Sequence, residues 1–126
     1  RICPDIPIWV GGPEVSYESV RFLEEHPYIT GVMRGEGEET FAELLNCYYD
    51  NEIKLSDLSG ITYRDKDGTI HDNGMRNLVN MDSIPFVYEN ISDFKNKIIY
   101  YESSRGCPFR CSYCLSSIEK NEIFFE

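Results

Sequence analysis

Basic residues are what this sequence has least of. Twelve Lys and Arg stand against 22 Asp and Glu, a formal net charge of −10 over 126 residues. A surface this acidic repels phosphate backbones, which excludes nucleic acid as an expected partner. Long apolar runs are missing too. Nothing approaches the roughly 18–20 residues that a membrane helix needs, so no membrane partner is expected. The opening stretch, "RICPDIPIWVGG", holds no charged-then-apolar leader. No repeat or low-complexity tract occurs. Cysteines are few and odd in number: Cys3, Cys47, Cys107, Cys111 and Cys114. An odd set without an export signal argues against a disulfide framework and for a reducing, cytoplasmic setting. The chain does not begin with Met and opens one step ahead of a strand-like run, as expected of a piece cut from a longer protein.

What is present reads as globular. Hydrophobic residues make up 41% and aromatics 13% of the chain, more than a disordered segment carries. Its length suits one modest domain and is short for two complete ones.

Alternation of elements organises the first part. Ile6 to Val10, "IPIWV", predicts a buried strand ending at Gly11–Gly12, with Pro7 near its start because it cannot donate a ladder hydrogen bond. "PEVSYESVRFLEEHP" predicts one helix, with Ser16 as N-cap, Glu18 in the first turn and His26–Pro27 as its stop. "YITGVMRG", Tyr28 to Gly35, predicts a second strand. In the following helix Phe41, Leu44, Leu45 and Tyr48 form an apolar stripe, i, i+3, i+4, i+7. Strand, helix, strand, helix with short links implies βαβ units and a parallel sheet. Ile61 to Arg64 and Thr69 to Asp72 flank "DKDG", a hairpin signal, and the first of these strands is expected at the sheet edge. Residues 75–97 show no clean periodicity and read as a linker that packs down through Ile84, Phe86 and Val87. "KIIYYESSRG" then predicts a fresh strand running into a cysteine-rich loop.

That loop is "RGCPFRCSYC", Arg105 to Cys114, with its thiols spaced C-x-x-x-C-x-x-C. Thiolates suit zinc and iron–sulfur clusters. Structural zinc wants four closed ligands, and the fourth would have to be remote: His26, His71, Cys3 or Cys47. A zinc-stabilised Rossmann-like interaction module is the reading that follows if one of them serves. Cys47, inside a helical apolar pattern, reads rather as a small buried hydrophobe. Three thiolates on a cubane cluster leave one iron without a protein ligand, and an open position is what a catalytic metal needs. Gly106 allows a tight turn ahead of Cys107, Pro108 stiffens the arc to Cys111, and Arg105 and Arg110 place positive charge beside an anionic cluster.

"SRGCPFRCSYC" resembles the cluster motif of radical S-adenosylmethionine enzymes. The resemblance implies that Cys107, Cys111 and Cys114 hold a 4Fe–4S cluster whose open iron takes the amino and carboxylate groups of S-adenosylmethionine. It implies cleavage of the sulfonium to a 5′-deoxyadenosyl radical, and places Tyr113 where the family has an aromatic against the adenine. An aromatic there can equally shield the cluster from water.

Further upstream, "WVGGPEVS", "VMRGEGEETFAELL" and "LSGITYRDKDGTI" resemble the later half of the cobalamin-binding domain that precedes many such enzymes. "MDSIPF" resembles the join between the two domains. Anaerobic magnesium-protoporphyrin IX monomethyl ester oxidative cyclases and cobalamin-dependent methyltransferases share this layout. By that pattern Gly11, Gly12, Gly35 and Gly37 line a groove for the cobalamin tail. A tight turn after each strand would also use Gly11–Gly12, and Glu36, Glu38 and Glu39 suit a helix N-terminus on dipole grounds alone. The D-x-H-x-x-G motif that supplies a cobalt-ligating His in many such domains does not occur, and neither His26 nor His71 stands in its context.

The expected architecture is therefore α/β. Residues 1–74 form the C-terminal half of a Rossmann-like (flavodoxin-like) cobalamin-binding domain, with a parallel sheet, flanking helices and a β-hairpin. Residues 75–97 are a linker, and 98–126 begin a radical S-adenosylmethionine barrel. The parent would act on a small-molecule substrate, while the piece itself is expected to be inactive. Its uncovered sheet edge is expected to recruit a second copy.

Overall fold

The computed structural model describes residues 6–49, 53–105, 109, 111–114 and 124–125. The chain divides into two compact units, 1–80 and 81–126.

In the first unit a four-stranded sheet carries helices on both faces. Its strands are β1 (Trp9–Gly11), β2 (Gly31–Met33), β3 (Ile61–Arg64) and β4 (Ile70–Asp72), in spatial order β1-β2-β3-β4. Pro7 sits ahead of β1, as expected. Only the β1–β2 pair is parallel; β2–β3 and β3–β4 are antiparallel, so the parallel sheet expected from the alternation is a mixed one. The reason lies after helix α3 (Glu38–Tyr49). Residues 53–60 carry the chain back to the C-terminal end of β2, where the Gly60 carbonyl accepts the Arg34 N–H at 2.8 Å. Ile61 therefore enters beside Met33 and runs the opposite way.

Strand alternation assigns the two cores. Val10, Val32 and Ile70 face α1 (Pro13–Ser16) and α2 (Ser19–Glu25), where they meet Val15, Phe22, Leu23 and Ile29. Trp9, Met33, Ile61 and Tyr63 face α3 and meet Leu44, Cys47, Leu55 and Leu58.

The single helix expected over 13–27 breaks in two at Tyr17–Glu18, and Ser16 is not its N-cap. Ser16 Oγ donates back to the Gly12 carbonyl at 2.8 Å, and Arg34 Nε takes the Ser16 carbonyl at 3.1 Å. A carbonyl held by an arginine is withdrawn from the helical ladder, and back-bonding serines bend helices. The break lets Ser19 reach the sheet, where its hydroxyl meets that of Thr62 at 2.7 Å in the buried layer. Helix α2 ends at Glu25, with His26 as its C-cap, where the sequence stops it.

The stripe expected on α3 is only partly the buried one. Leu44 is buried, but Phe41, Leu45 and Tyr48 are 51%, 40% and 47% exposed. The inward face is Thr40, Leu44 and Cys47, i, i+4, i+7, because Thr40 faces Gly60 and Arg76 rather than an open flank. The hairpin forms as the sequence dictates, and β3 joins β2.

No described residue of the second unit is buried. Short 3-10 turns occupy Met81–Ser83 and Ile91–Phe94, and β5 (Ser104–Arg105) pairs antiparallel with β6 (Phe124–Phe125). Two expectations give way here. Phe86 and Val87 remain exposed and Ile84 only half-buried, and the strand expected from Lys97 shrinks to Ser104–Arg105. A strand needs a ladder partner and an apolar layer. Among the described residues Ile98, Tyr100 and Tyr101 find no such layer and are largely exposed. The aromatic contacts here are edge-on ones, Phe86 with Tyr88 and Tyr101, and Tyr88 with Phe94.

Candidate functional site

Two loops leave the sheet side by side. Because β1 and β2 are parallel and paired Gly11 to Met33, Gly11–Gly12 and the loop Arg34–Gly37 emerge at the same end. In an open α/β sheet this is where ligands lie. The four glycines do different things. A side chain added at Gly11 would come 3.4 Å from the Met33 carbonyl, while one at Gly12 or Gly37 would meet nothing within 4 Å. Gly12 has φ +104, a conformation open to glycine and strained for other residues. Gly35, φ +71, is covered by the chain itself: an added Cβ would lie 3.1 Å from Met75 Cε. Gly12 and Gly37 thus border open space, and Gly35 lies beneath Met75.

The acids at the start of α3 are engaged by the same stretch. A Glu36 carboxylate oxygen accepts the Val79 N–H at 2.5 Å. Glu39 and Glu43 pair with Arg76, whose Nε donates to Thr40 Oγ1 at 3.1 Å. Arg34 bridges elsewhere, to Asp72 at 2.5 Å. The sequence reading passed over Arg34, Arg76, Gly31 and Gly60. Only the glycines carried a signal, since glycine inside or beside a strand marks close approach. Gly31 lies under the Trp9 indole, and Gly60, φ +74, under Thr40 and Arg76.

Among the described residues the hairpin turn carries the largest shift in a carboxylate. Hydrogen bonds with Asp67, with the His71 ring at 2.7 Å, and with the N–H groups of Thr69 and Asp67 hold Asp65 down to about 2. His71 also stacks on Tyr63, whose hydroxyl is pushed up by burial and by Asp65 and Asp57.

In the second unit Cys111 and Cys114 stand on one turn, closed by the Cys114 N–H on the Cys111 carbonyl at 3.1 Å. Both thiols are half-buried, and the Tyr113 ring between them is 90% exposed. Two thiols on so short an arc form the C-x-x-C pair that soft metal sites use. Cys107, Gly106, Pro108 and Arg110 lie outside the described residues, as does Cys3. Arg105 pairs with Glu102 at 3.0 Å. Among the described residues no three His, Cys, Asp or Glu side chains gather as a metal site. The remote zinc candidates have other contacts. His26 Nδ1 meets the Phe22 carbonyl at 2.8 Å, His71 meets Asp65, and the Cys47 thiol donates to the Ile53 carbonyl at 3.1 Å. Burial, then Asp57, raises the Cys47 thiol's pKa, which disfavours the thiolate a metal requires.

No helix among the described residues is long and apolar enough to cross a membrane. No family model matches the chain. It is 34% identical over 117 residues to an uncharacterised methyltransferase of Pyrococcus horikoshii, a match covering 87% of this chain and 25% of that protein. An anaerobic magnesium-protoporphyrin IX monomethyl ester cyclase of Synechocystis sp. is 31% identical over 119 residues, 88% of this chain and 23% of its own. The cobalamin-dependent radical SAM methyltransferase TokK of Streptomyces tokunonensis is 26% identical, across 88% of this chain and 18% of TokK. Among solved structures, the cobalamin-dependent S-adenosylmethionine radical enzyme OxsB, with aqua-cobalamin and S-adenosylmethionine bound, superposes with a TM-score of 0.63 at 29% identity. That match covers 85% of this chain and 15% of OxsB. Across most of its own length, and a quarter or less of theirs, the chain is homologous to cobalamin-dependent radical S-adenosylmethionine enzymes, magnesium-protoporphyrin cyclases included.

Proposed function

We propose that these residues serve a cytosolic radical S-adenosylmethionine enzyme, contributing the later part of a cobalamin-type domain and the cluster loop of the catalytic domain. The observation that carries the reading is the Cys111–Cys114 turn, which closes a C-x-x-x-C-x-x-C run in a chain with these relatives. In this reading Cys107, Cys111 and Cys114 would hold a 4Fe–4S cluster that also engages S-adenosylmethionine. Such a cluster would supply the electron for reductive cleavage of S-adenosylmethionine to methionine and a 5′-deoxyadenosyl radical. In this reading the exposed Tyr113 ring would lie against the adenine. Gly12 and Gly37, bordering open space at adjacent loops, form the wall for a cobalamin tail together with Gly11; Gly35 acts one layer back, beneath Met75. The reaction proposed for the whole protein is methyl transfer or ring-forming oxidation at an unactivated C–H bond of a small molecule. The 126 residues alone are expected to turn nothing over.

The test is anaerobic reconstitution of the full-length protein with iron and sulfide, followed by S-adenosylmethionine and a reductant. Formation of 5′-deoxyadenosine supports the reading. An intact cluster that yields none rejects it. One tightly held zinc per chain with no iron, in protein purified without oxygen, assigns the loop to a zinc-stabilised module instead.

A further inference from the structure

Residues 75–79 cross the first unit as a strap, and two side chains fasten it to the start of α3. Glu36, in the loop after β2, holds the Val79 N–H at 2.5 Å. Arg76, on the strap, reaches Thr40 Oγ1 at 3.1 Å, Glu39 at 3.2 Å and the Glu43 carboxylate. The two points work in opposite directions, loop to strap and strap to helix. Between them two glycines let side chains pack directly on the main chain. An added Cβ at Gly60 would lie 3.1 Å from Thr40 Oγ1 and 3.2 Å from Arg76 Cβ, and one at Gly35 would lie 3.1 Å from Met75 Cε. Val79 itself is buried and anchors the far end.

The charges explain why Arg76 matters beyond its own contacts. Glu39 and Glu43 are i, i+4 on one helix, a like-charge pair that destabilises the helix by itself. Arg76, with its side chain only 14% exposed, lies against both. Pulling the strap away would leave two carboxylates facing each other and Thr40 without its donor. The first turn of α3 is in turn tied to the loop: the Phe41 N–H bonds the Gly37 carbonyl at 2.7 Å, and Thr40 Oγ1 bonds the Glu36 carbonyl at 3.3 Å.

We infer that the strap and the loop Arg34–Gly37 open and close as one cooperative unit, with Glu36 and Arg76 as its clasp. The strap runs directly into the boundary between the two units at Asn80–Met81. The clasp therefore joins the state of the loop at the end of β2 to the segment that leads into the second unit. This goes beyond the proposed function and uses no cofactor.

Native-state hydrogen exchange on the 126-residue chain tests it, with the Val79 and Phe41 amides as reporters and the Leu44 and Ile61 amides as a measure of global stability. Glu36→Ala and Arg76→Met should each speed exchange at both reporters, roughly five- to tenfold for a lost hydrogen bond, with the core amides little changed. Glu36→Gln keeps an acceptor oxygen and should leave Val79 close to the parent rate. If Arg76→Met leaves Val79 unaffected, or Glu36→Ala speeds Val79 alone, the contacts are independent and the inference is overturned. If either alanine or methionine variant lowers core protection as well, the comparison of Glu36→Gln with Glu36→Ala decides. Equal behaviour of those two rejects the clasp.

Discussion

Gly31→Ala isolates one contact that the fold depends on. Gly31 has an ordinary negative φ, so its backbone places no demand on the residue type. The demand comes from above. Trp9 pairs with Gly31 across the parallel ladder, and its ring lies over the glycine. An added Cβ would sit 2.3 Å from Trp9 Cζ3, 2.6 Å from Cη2 and 2.8 Å from Cε3. Three ring atoms inside contact distance cannot be relieved by a small rotation, so the indole must leave. Its Nε1 then loses the Tyr48 hydroxyl at 2.9 Å. Overpacking costs about 1–3 kcal/mol, and the lost hydrogen bond adds about 1 kcal/mol. The stiffer unfolded chain returns about 0.4–1 kcal/mol. The net loss expected is about 2 kcal/mol, a fall in urea midpoint on the order of 1 M. Trp9 is the single tryptophan, so its fluorescence follows the unfolding and reports the displaced ring directly. The control is a cycle with Trp9→Leu, followed by circular dichroism. With the ring gone, Gly31→Ala should be neutral or stabilising by about 0.5 kcal/mol, a coupling near 2 kcal/mol. An equal cost in both backgrounds would refute the contact as the cause.

Gly60→Ala should destabilise by about 1–2 kcal/mol, since φ is +74 and Thr40 and Arg76 crowd the new methyl; an unchanged thermal midpoint would contradict this. Asp65 should titrate near 2 by carboxyl NMR. Its folded pKa lies below the unfolded value of about 3.9, so its contribution to the hairpin is present above pH 4 and lost as pH falls through 2. A midpoint close to 4 would remove the turn network as its cause. Cys111→Ser or Cys114→Ser should abolish iron binding on anaerobic reconstitution of the full-length protein, and full iron content in either variant would rule that thiol out as a ligand. We also propose that the chain self-associates through the β1 edge, beside which Ile6 and Ile8 are exposed; light scattering showing only monomer at high concentration would count against it.

Local chemistry made the hairpin and α2's end legible. Gly68 at φ +94 and Asp65 receiving the Asp67 and Thr69 N–H groups are properties of "DKDG" itself. His26 before Pro27 stops a helix whatever surrounds it. The errors arose where a distant residue intervenes. Nothing near Ser16 in sequence announces that Arg34 will take its carbonyl. Nothing in α3 says that Thr40 will lie inward while Phe41 does not, because that depends on Gly60 and Arg76, 20 and 36 positions away. The direction of β3 was equally hidden, since strand, helix, strand alternation is the same for parallel and antiparallel returns. The cysteine spacing was legible because it is a covalent pattern that no tertiary contact can alter.

The two units hold themselves together differently, and this bears on where chemistry can be placed. The first has buried apolar clusters on both sides of its sheet, so its loops at the end of β1 and β2 stand on a rigid support. Among the described residues of the second, none is buried, and aromatic edges and short turns supply the contacts. If the Cys111–Cys114 pair takes a metal, as proposed, binding and local ordering would be coupled in one free energy. The short C-x-x-C arc between Cys111 and Cys114, closed by a backbone hydrogen bond, suits that regime. The glycine loops of the first unit would suit the opposite one, in which the protein sets the shape and the proposed ligand must fit it.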